Sequence, residues 1–532
     1  MIRAAPSARR RAAAVSARLA FTLVALCLAA CVPSHAAEES TYLIVGSRAA
    51  PNNLDPRQGS DEASARVSQL IFGSLMDIGD DLRPQPHLAE RLDNPDPLTY
   101  IVRLRHGVRF HDGHELTSRD VVYTYASFLD PQYLSPYKGA FRVLASVRPI
   151  DAYTVEFKLK EPFAAFPIQL VTPPIVPADS GASMAVHPVG TGPYRFVRYA
   201  VDDQVVLSAF KDYYEGPPAN PGIVLKVIPD DTMRGLELRK DSIDVVINDL
   251  PPDILYQLER GRDFRVVRSP GVDFSYVGFN MRDPVLADRR VRYAIGYATN
   301  REAIIKYLRR GLARLAVGLI PPQAWAFEPD VFQFTYDPAR AKQLLDEAGY
   351  RDPDGDGPQP RLHLSLKISN NEETRLQSTV IQQDLARVGI DLDLRSYEFA
   401  TFYADVLKGN FQLFSLQWVG GALVDPDILR RVFHSQQVPP AGFNRGHYRN
   451  PEVDRLIDMA TTALSESERK QYYSVAQKLI AEDAPYIPIW NRVNAVIAQH
   501  DVANLHLNAV GDFAALKDVS KNVADPVRSA AR

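Results

Sequence analysis

The chain has 532 residues, 46% of them hydrophobic, and carries 61 Lys and Arg against 64 Asp and Glu, a formal net charge of −3. Because there is no basic excess, electrostatics argue against a nucleic-acid-binding protein. The only cysteines are Cys27 and Cys31, so a mature domain would hold no disulfide and must rely on its hydrophobic core, over a length typical of about three domain-sized units.

The first residues have the pattern of an export signal. Five arginines and no acidic residue precede position 31, and 19–30 form an apolar run of signal-peptide length that is too short to span a bilayer. We predict a signal peptide over 1–30, which leaves a chain of net charge −8, from 56 basic and 64 acidic residues. No later segment reaches the roughly 18 apolar residues that a transmembrane helix needs.

Three alternatives exist for how this signal is processed. Small residues precede Cys31, as lipoprotein processing requires, so we predict lipidation of Cys31. The sequence from Ser34 to Ala37 also fits an ordinary cleavage site, which would release a soluble protein, and an uncut membrane anchor is the third alternative. In either of the first two cases the mature protein is exported, and it is either lipid-anchored to a membrane through Cys31 or free.

Strands and amphipathic helices alternate from residue 41 onwards. Thr41–Val45 is predicted to be a buried strand, and the turn-rich loop 50–56 leaves its end, where open α/β sheets bind ligands; a plain connection is the alternative. Tyr100 to Arg105 alternates as a half-buried strand does. Thr117 and Asp120 form a capping box for a helix that reaches about residue 128.

The same rules predict the elements of the second half, which complete an α/β pattern. Buried strands are expected at 226–228, 245–247, 276–280 and 390–394, and helices near 287–297, from Thr299, from Asp337 to Gly349 and from Asn450. The stretch 485–490 is apolar and extended, and too rich in proline for a helix.

The catalytic motifs of common enzyme classes are missing. The sequence has no G-x-S-x-G, Walker A, G-x-G-x-x-G or H-E-x-x-H motif, and the closest string, Gly181–Ala185, lacks the second glycine of a nucleophile elbow. No cysteine remains in the mature chain except the predicted lipid site. A binding protein is therefore favoured over an enzyme, with an exported hydrolase or a chaperone-like sensor as the alternative, and no cofactor is predicted.

Two segments have partial metal-binding patterns. The turn 106–114 holds three histidines, and 352–357 matches the first half of a calcium loop, but its twelfth position is His363, where calcium needs a carboxylate. A surface turn explains the first segment better, and a polar glycine-rich turn explains the second. We predict no metal site.

One tryptophan has two equally good interpretations. Trp418 follows the alternating segment 411–417 and precedes Val419 and a pair of glycines. An aromatic ring at the end of a strand, next to a flexible loop, suits a ligand-facing platform, whereas core packing is the ordinary alternative.

Longer strings carry a family resemblance. The sequence YIVRLRHGVRFHDGHELTSRDVVYTY at 100–125 resembles the family 5 extracytoplasmic solute-binding proteins, the oligopeptide-, dipeptide- and nickel-binding receptors of ABC importers. Further similar strings follow in the family order, at 54–56, 187–194, 276–280, 336–349 and 485–490. They span nearly the whole chain after the signal, and their order and spacing together are specific.

The resemblance implies an α/β protein with the bilobal type II periplasmic-binding-protein fold and an extra third domain. Lobe I would be discontinuous, the extra domain would follow its first segment, and lobe II would hold most of the C-terminal half. The implied boundaries are 38–80, 188–288 and 495–520 for lobe I, 81–187 for the extra domain, and 289–494 for lobe II.

The resemblance also implies a ligand class. Peptide-binding relatives carry Trp-x-x-Asp, whose aspartate pairs with a peptide's free amino group; here that position is Gly421, and Asp425 lies seven residues after Trp418. The implied ligand-binding residues are Ala50, Asn52, Tyr276, Trp418, Asn444 and Arg445. Arg445 could pair with a ligand carboxylate, and a surface arginine beside a turn is its alternative role.

The predicted function is the substrate-binding receptor of an ABC importer, which captures oligopeptide- or dipeptide-like solutes and delivers them to a permease of the inner membrane. A non-peptide solute, such as a sugar, an opine or a metal chelate, is the alternative within this role. We expect a monomer that does not bind nucleic acid.

Overall fold

The structure is a computed structural model that describes residues 39–521, apart from 60, 262, 356, 421–423 and 464. The predicted signal peptide and Cys31 lie outside the described residues. Leu43 begins the compact unit to which all the elements below belong. Among the described residues, no helix combines the length and the hydrophobicity needed to cross a bilayer.

Strands dominate the core of this unit. They are β1 Leu43–Ser47, β2 Met76–Ile78, β3 Pro84–Pro86, β4 Ala89–Asp96, β5 Thr99–Leu104, β6 Leu144–Asp151, β7 Thr154–Leu159, β8 Tyr194–Ala200, β9 Gln204–Ala209, β10 Gly222–Val227, β11 Val245–Ile247, β12 Arg265–Phe279, β13 Ala313–Leu315, β14 Leu362–Ser369, β15 Ile390–Tyr397, β16 Leu413–Trp418, β17 Tyr486–Ala498, β18 Val502–Ala503 and β19 Ser520–Lys521.

Helices connect and cover these strands. They are α1 Glu62–Ile71, α2 Ser118–Leu129, α3 Phe166–Gln169, α4 Asp231–Arg239, α5 Pro252–Arg260, α6 Arg289–Ala298, α7 Arg301–Ala303, α8 Pro338–Glu347, α9 Glu372–Ala386, α10 Phe399–Lys408, α11 Ile428–Phe433, α12 Pro451–Thr462 and α13 Glu466–Asp483. A π-helical segment, Ile304–Arg309, continues α7, and short 3-10 turns lie at Lys138–Phe141, Gly181–Ala185 and Ala514–Asp518.

One mixed sheet of eleven strands organises the unit. Its order is β15-β14-β16-β12-β17-β11-β1-β10-β9-β8, with β13 paired to β17. The two longest strands, β12 and β17, run antiparallel at its centre, and their register shifts between Pro270 and Phe274. The later half of β12 also pairs with β16, whereas the end of β17 pairs with β11. These two strands therefore connect the two parts of the sheet.

A separate antiparallel sheet, β4-β5-β7-β6, has a core of its own. The buried side chains around it all come from residues between Leu75 and Ile175. Another buried cluster joins residues that are distant in sequence, such as Leu43, Ile223 and Phe513. This distribution suits an extra domain inserted into a discontinuous lobe, but the exact domain boundaries given above stay predictions.

Several elements predicted from the sequence are confirmed. Tyr100, Val102 and Leu104 are buried along β5, and Thr117 with Asp120 forms the capping box of α2. Gly349 has a left-handed φ of 94° just after α8, and Asn450 accepts hydrogen bonds at the start of α12.

Three local predictions need correction. The strand placed at 226–228 ends at Val227 and begins at Gly222, because its pairing with β1 starts at Ile223. The strand at 276–280 is the end of the much longer β12. The cap of α7 is Asn300 rather than Thr299, because the Thr299 hydroxyl donates to the Ile295 carbonyl of the preceding helix.

The similar string at 187–194 owes its glycines to a close approach of two backbones. A Cβ atom on Gly190 would lie 2.1 Å from the Ile71 carbonyl oxygen, and one on Gly192 would lie 2.6 Å from the Ile71 carbonyl carbon. The Gly192 N–H donates to that Ile71 oxygen at 2.8 Å. His111 bonds to the backbone of both glycines, so one histidine of the 106–114 turn packs against this loop instead of facing solvent.

A substitution at Gly190 tests this contact. We expect Gly190→Ala to lower the free energy of unfolding by about 2–3 kcal/mol, because the blocking atom belongs to a backbone that must move. Gly139→Ala is the matched control, since its added Cβ meets no atom within 4 Å. Thermal and urea unfolding measure both variants, and equal stability of the two would contradict the close approach.

Candidate ligand-binding site

Four of the six predicted ligand-binding residues line the same pocket. Tyr276, Trp418, Asn444 and Arg445 surround about 390 Å³ of space, together with aromatic and aliphatic side chains from β12, β16, α11 and the loop that follows α11. These four residues come from three segments that are far apart in sequence: β12, the end of β16 and the loop after α11. The fold therefore brings together residues that the sequence only suggested as a group.

Strand pairing positions the aromatic wall of the pocket. Phe274 lies opposite Trp418 in the antiparallel pair β12–β16, and Tyr276 follows Phe274 on the same face of β12. The rings of Phe274 and Tyr276 are stacked, with centroids 5.5 Å apart and an interplanar angle of 12°. Side chains alternate between the faces of a strand, so residues two apart point to the same side.

Arg445 is the charged residue of this pocket, and it is only 6% exposed. Its Nη1 donates to the Tyr276 hydroxyl at 3.1 Å, and its Nη2 donates to the Tyr403 hydroxyl at 3.0 Å. Its Nε is buried and has no hydrogen-bond partner among the described residues. Two phenols are thus the polar groups that face the guanidinium, and within the described chain no carboxylate pairs with it.

Aromatic faces surround the same guanidinium. Its central carbon lies 4.8 Å from the centroid of the Trp418 ring, 5.1 Å from that of Phe443 and 5.4 Å from that of Tyr403. A cation over an aromatic face is stabilised by the negative face of the ring, more so when water is excluded. Arg445 is therefore held as a cation by ring faces and phenols instead of by a counter-ion.

The phenol of Tyr276 stays neutral in this setting. Burial raises the pKa of Tyr276, and the nearby Arg445 opposes that shift only in part. A neutral phenol can accept a hydrogen bond from Arg445 while donating its own proton elsewhere. The positive charge of Arg445 is consequently not cancelled by its neighbours.

Trp418 is packed in the core, and its role as a ligand platform stays a prediction. It is 9% exposed and belongs to a buried cluster with Phe274 and Val424, as core packing predicts. Its ring also contacts Phe443 edge-on at 5.3 Å and covers Arg445, as a ligand platform would.

The side chain of Asn444 is used within its own loop. Its amide nitrogen donates to the carbonyls of His434 and Tyr448, at 3.2 and 2.8 Å, and its oxygen accepts from the Tyr448 backbone N–H at 2.9 Å. These bonds shape the loop that carries Arg445. Direct ligand contact by Asn444 stays a prediction.

Ala50 and Asn52 lie in the loop after β1 and do not line this pocket. Asn52 is exposed, and its backbone N–H donates to the Ser64 hydroxyl at 3.0 Å, while Ala50 is half-buried. The carbonyl of the intervening Pro51 accepts from the Tyr199 hydroxyl. Their part in ligand binding stays a prediction.

Sequence reasoning missed Tyr403 and Phe443. Phe443 directly precedes Asn444 in the chain, and Tyr403 lies one helical turn after Phe399 on α10, with the two rings stacked at 5.6 Å. The i, i+4 aromatic spacing was the available signal. Only the packing of α10 against the loop after α11 gives Tyr403 its contact with Arg445.

A hydrogen bond ties the end of β16 to the central strand β12. The Gly420 N–H donates to Asp273 Oδ1 at 2.9 Å, and Asp273 Oδ2 lies 2.8 Å from Arg492 Nε. Asp273 sits at the register shift between β12 and β17. The segment after Trp418 is thus fixed to the strand that also carries Tyr276; Gly421 itself lies outside the described residues.

The Asp425-Pro-Asp427 motif lies in a second buried cluster. Asp425 accepts from the Asp427 N–H at 2.8 Å, and Arg469 Nη2 lies 3.8 Å from Asp425. Four buried atoms there find no hydrogen-bond partner within the described residues: Asp427 Oδ1, Arg469 Nε, Arg469 Nη2 and the Tyr473 hydroxyl. Two carboxylates and one guanidinium share a site that costs free energy when fully ionised.

The cost of ionising this cluster is seen in the pKa of Asp427. Burial and the neighbouring Asp425 raise it from 3.8 to about 6, and the arginines around it oppose the shift in part. A carboxyl whose pKa is higher in the folded state takes up a proton on folding. Its contribution therefore favours the folded state below pH 4 and is lost as the pH rises through 6.

A variant at this position tests the cost. Asp427→Asn should be more stable than the parent at pH 7.5, by up to about 3 kcal/mol, and nearly equal to it at pH 4, because the amide stays neutral. The charged and titratable groups that face Asp427 and stay in place are Asp425, Arg430, Arg431, Arg469 and Tyr473.

Unfolding at a series of pH values measures this gap, with Asp330→Asn, whose side chain is 93% exposed, as the control that should show none. A gap that does not grow between pH 4 and 7.5 would contradict the raised pKa.

No metal site emerges among the residues that the structure describes, where no group of three His, Cys, Asp or Glu side chains could hold an ion. The half calcium loop folds as a turn, in which Asp352 accepts from the Gly355 N–H at 2.9 Å; Asp356 lies outside the described residues.

Comparisons with known proteins cover most of the chain. The sequence model described as bacterial extracellular solute-binding proteins, family 5 Middle, matches residues 83–439. The oligopeptide-binding protein AppA of Bacillus subtilis (strain 168) is 28% identical over 512 residues, which are 90% of this chain and 93% of AppA. The glutathione-binding protein GsiB of Escherichia coli O1:K1 is 29% identical, over 88% of this chain and 92% of GsiB.

The structure is similar to solved structures as well. The structure of Bacillus subtilis AppA in complex with a nonapeptide superposes with a TM-score of 0.75 and 26% identity, over 90% of this chain and 98% of AppA. The ABC transporter-associated periplasmic binding protein DppA of Helicobacter pylori, in complex with the peptide STSA, also gives a TM-score of 0.75 and 26% identity, over 90% of this chain and 98% of DppA.

Proposed function

This chain belongs to the bacterial extracellular solute-binding proteins of family 5, and from that premise we propose that it captures peptide-like solutes for an ABC importer. Its predicted α/β fold, of the type II periplasmic-binding class, is confirmed by the likeness to AppA over nearly the whole chain. The family consists of solute receptors, which argues against the exported hydrolase that the sequence left as an alternative.

The buried guanidinium of Arg445 is the observation that supports a peptide-like ligand best. Removing an arginine from water without a counter-ion costs desolvation free energy, and contacts with aromatic faces offset only part of it. A carboxylate that enters the pocket could take the free Nε–H together with a second N–H in a bidentate, charge-assisted pair. Every peptide with a free C-terminus supplies such a carboxylate.

The wall of the pocket suits the rest of a peptide. Trp418, Phe443 and Tyr276 offer large faces that can pack against apolar side chains at little conformational cost. AppA was solved with a nonapeptide and GsiB is named for glutathione, and both ligands carry carboxylates. We therefore favour a peptide-like solute over a sugar, an opine or a metal chelate.

The cellular setting follows from the same proposal. We place the mature protein in the periplasm, attached to the membrane through lipidated Cys31, as a monomer whose partner is an inner-membrane ABC permease. Binding would be non-covalent and without catalysis, cofactor or metal. Intact-mass analysis of the native N-terminus would test the lipid directly.

Replacing Arg445 tests the proposed carboxylate contact. Arg445→Gln should weaken binding of a tripeptide pool by about 2–5 kcal/mol, since a buried charge pair is lost, while the variant without ligand stays folded because it loses no counter-ion. Calorimetry and ligand-induced change in melting temperature measure the effect.

Tyr403→Phe is the matched control, because it keeps the ring and removes one neutral hydrogen bond, so its loss should stay within about 1.5 kcal/mol. Full peptide affinity in Arg445→Gln would remove Arg445 from the site.

A further inference from the structure

We propose that this pocket binds the carboxylate end of its ligand and has no requirement for a free ammonium, so that N-blocked peptides are ligands as good as free ones. The inference rests on the proposed function and narrows its substrate class. It is supported by the charges that line the pocket and by the contacts of the carboxylates around it.

Arg445 is the only charged side chain among the sixteen described residues that line the pocket. The other lining residues are aromatic, aliphatic or glycine, apart from Asn444, whose amide is used within its own loop. A ligand ammonium would find no lining anion to pair with.

A second guanidinium makes the surroundings more positive. Arg431 lies over the ring of Phe443 at 4.8 Å, and Arg445 lies over the same ring at 5.1 Å. Burial lowers the pKa of Arg431, Asp427 opposes that shift, and Arg142 and Arg445 lower the pKa further. Of the charged groups that affect the pKa of Arg431, two are arginines and one is a carboxylate, so cations outnumber anions beside Phe443.

Three carboxylates on or beside the elements that carry the site residues already have partners in the protein. Asp273 accepts from Gly420 and lies 2.8 Å from Arg492, and Asp483 accepts from the Tyr448 hydroxyl at 2.6 Å and from Asn450 Nδ2 at 2.8 Å. Glu398 accepts from the first turn of α10. Each of these three carboxylates therefore already accepts hydrogen bonds or pairs with a cation inside the protein, and none of them lines the pocket.

These charges should make the pocket favour a ligand carboxylate over a ligand ammonium. An ammonium that comes within a few ångströms of Arg445 meets an unscreened like charge and loses its water, whereas an N-acyl group brings neither cost. A carboxylate gains the free Nε–H of Arg445. A ligand with a carboxylate, apolar groups and a neutral amino end therefore fits the described pocket best.

Three peptide pools separate these features. Randomised tripeptides are prepared with free termini, with an acetylated N-terminus, and with a free N-terminus and an amidated C-terminus. Affinities are measured by competition on the full mature protein, and retained peptides are identified by mass spectrometry. We expect the acetylated pool to bind as tightly as the free pool or tighter, and the amidated pool to bind at least tenfold more weakly.

Each outcome bears on one claim. A tenfold loss on acetylation would show that the amine is recognised and would overturn this inference while leaving the peptide receptor intact. Equal binding of the amidated and free pools would show that the C-terminal carboxylate is not recognised, and it would overturn the inference. Binding by none of the pools would contradict the proposed peptide function itself, and the inference would fall with it.

Arg445→Lys and Arg445→Gln complete the design. The tenfold penalty for C-terminal amidation should vanish in Arg445→Gln and persist in part in Arg445→Lys, which keeps the charge without the forked geometry. If C-terminal amidation weakens binding to Arg445→Gln as much as to the parent protein, another group binds the carboxylate and the inference is wrong.

Discussion

The candidate site depends on one buried cation, the guanidinium of Arg445, for which the described residues provide no counter-ion. Arg445 is held by the hydroxyls of Tyr276 and Tyr403 and by the faces of surrounding aromatic rings, and its Nε has no partner in the part of the chain that the structure describes. Such an arrangement is costly for an empty protein and favourable for one that binds an anion. A functional cost of this kind is expected where a fold serves recognition rather than stability alone.

The architecture explains how this cation is kept in place. The long strands β12 and β17 connect both parts of the main sheet, and β12 carries Tyr276 together with Asp273, which holds the backbone of Gly420. Asn444 fixes the loop of Arg445 from the other side. Strand pairing and the side-chain hydrogen bonds of Asp273 and Asn444 therefore position the pocket residues before a ligand binds.

Much of the local structure could be predicted from the sequence. The strand at β5, the capping box of α2 and the cap at Asn450 follow from short patterns that tertiary contacts do not override. The length of β12 could not be predicted, because it continues through Pro270 and Gly271, residues that usually end a strand, and is held by pairing with distant β17. For the same reason Tyr403 was missed, since its role arises only where α10 meets the loop of Arg445.

The most direct test is a crystal structure of the protein with its co-purified or pool-selected ligand. The account predicts a ligand carboxylate oxygen within about 3.2 Å of Arg445 Nε, between Trp418 and Phe443. A ligand bound elsewhere, with Nε still unpaired or facing only water, would contradict the central role given to this buried cation.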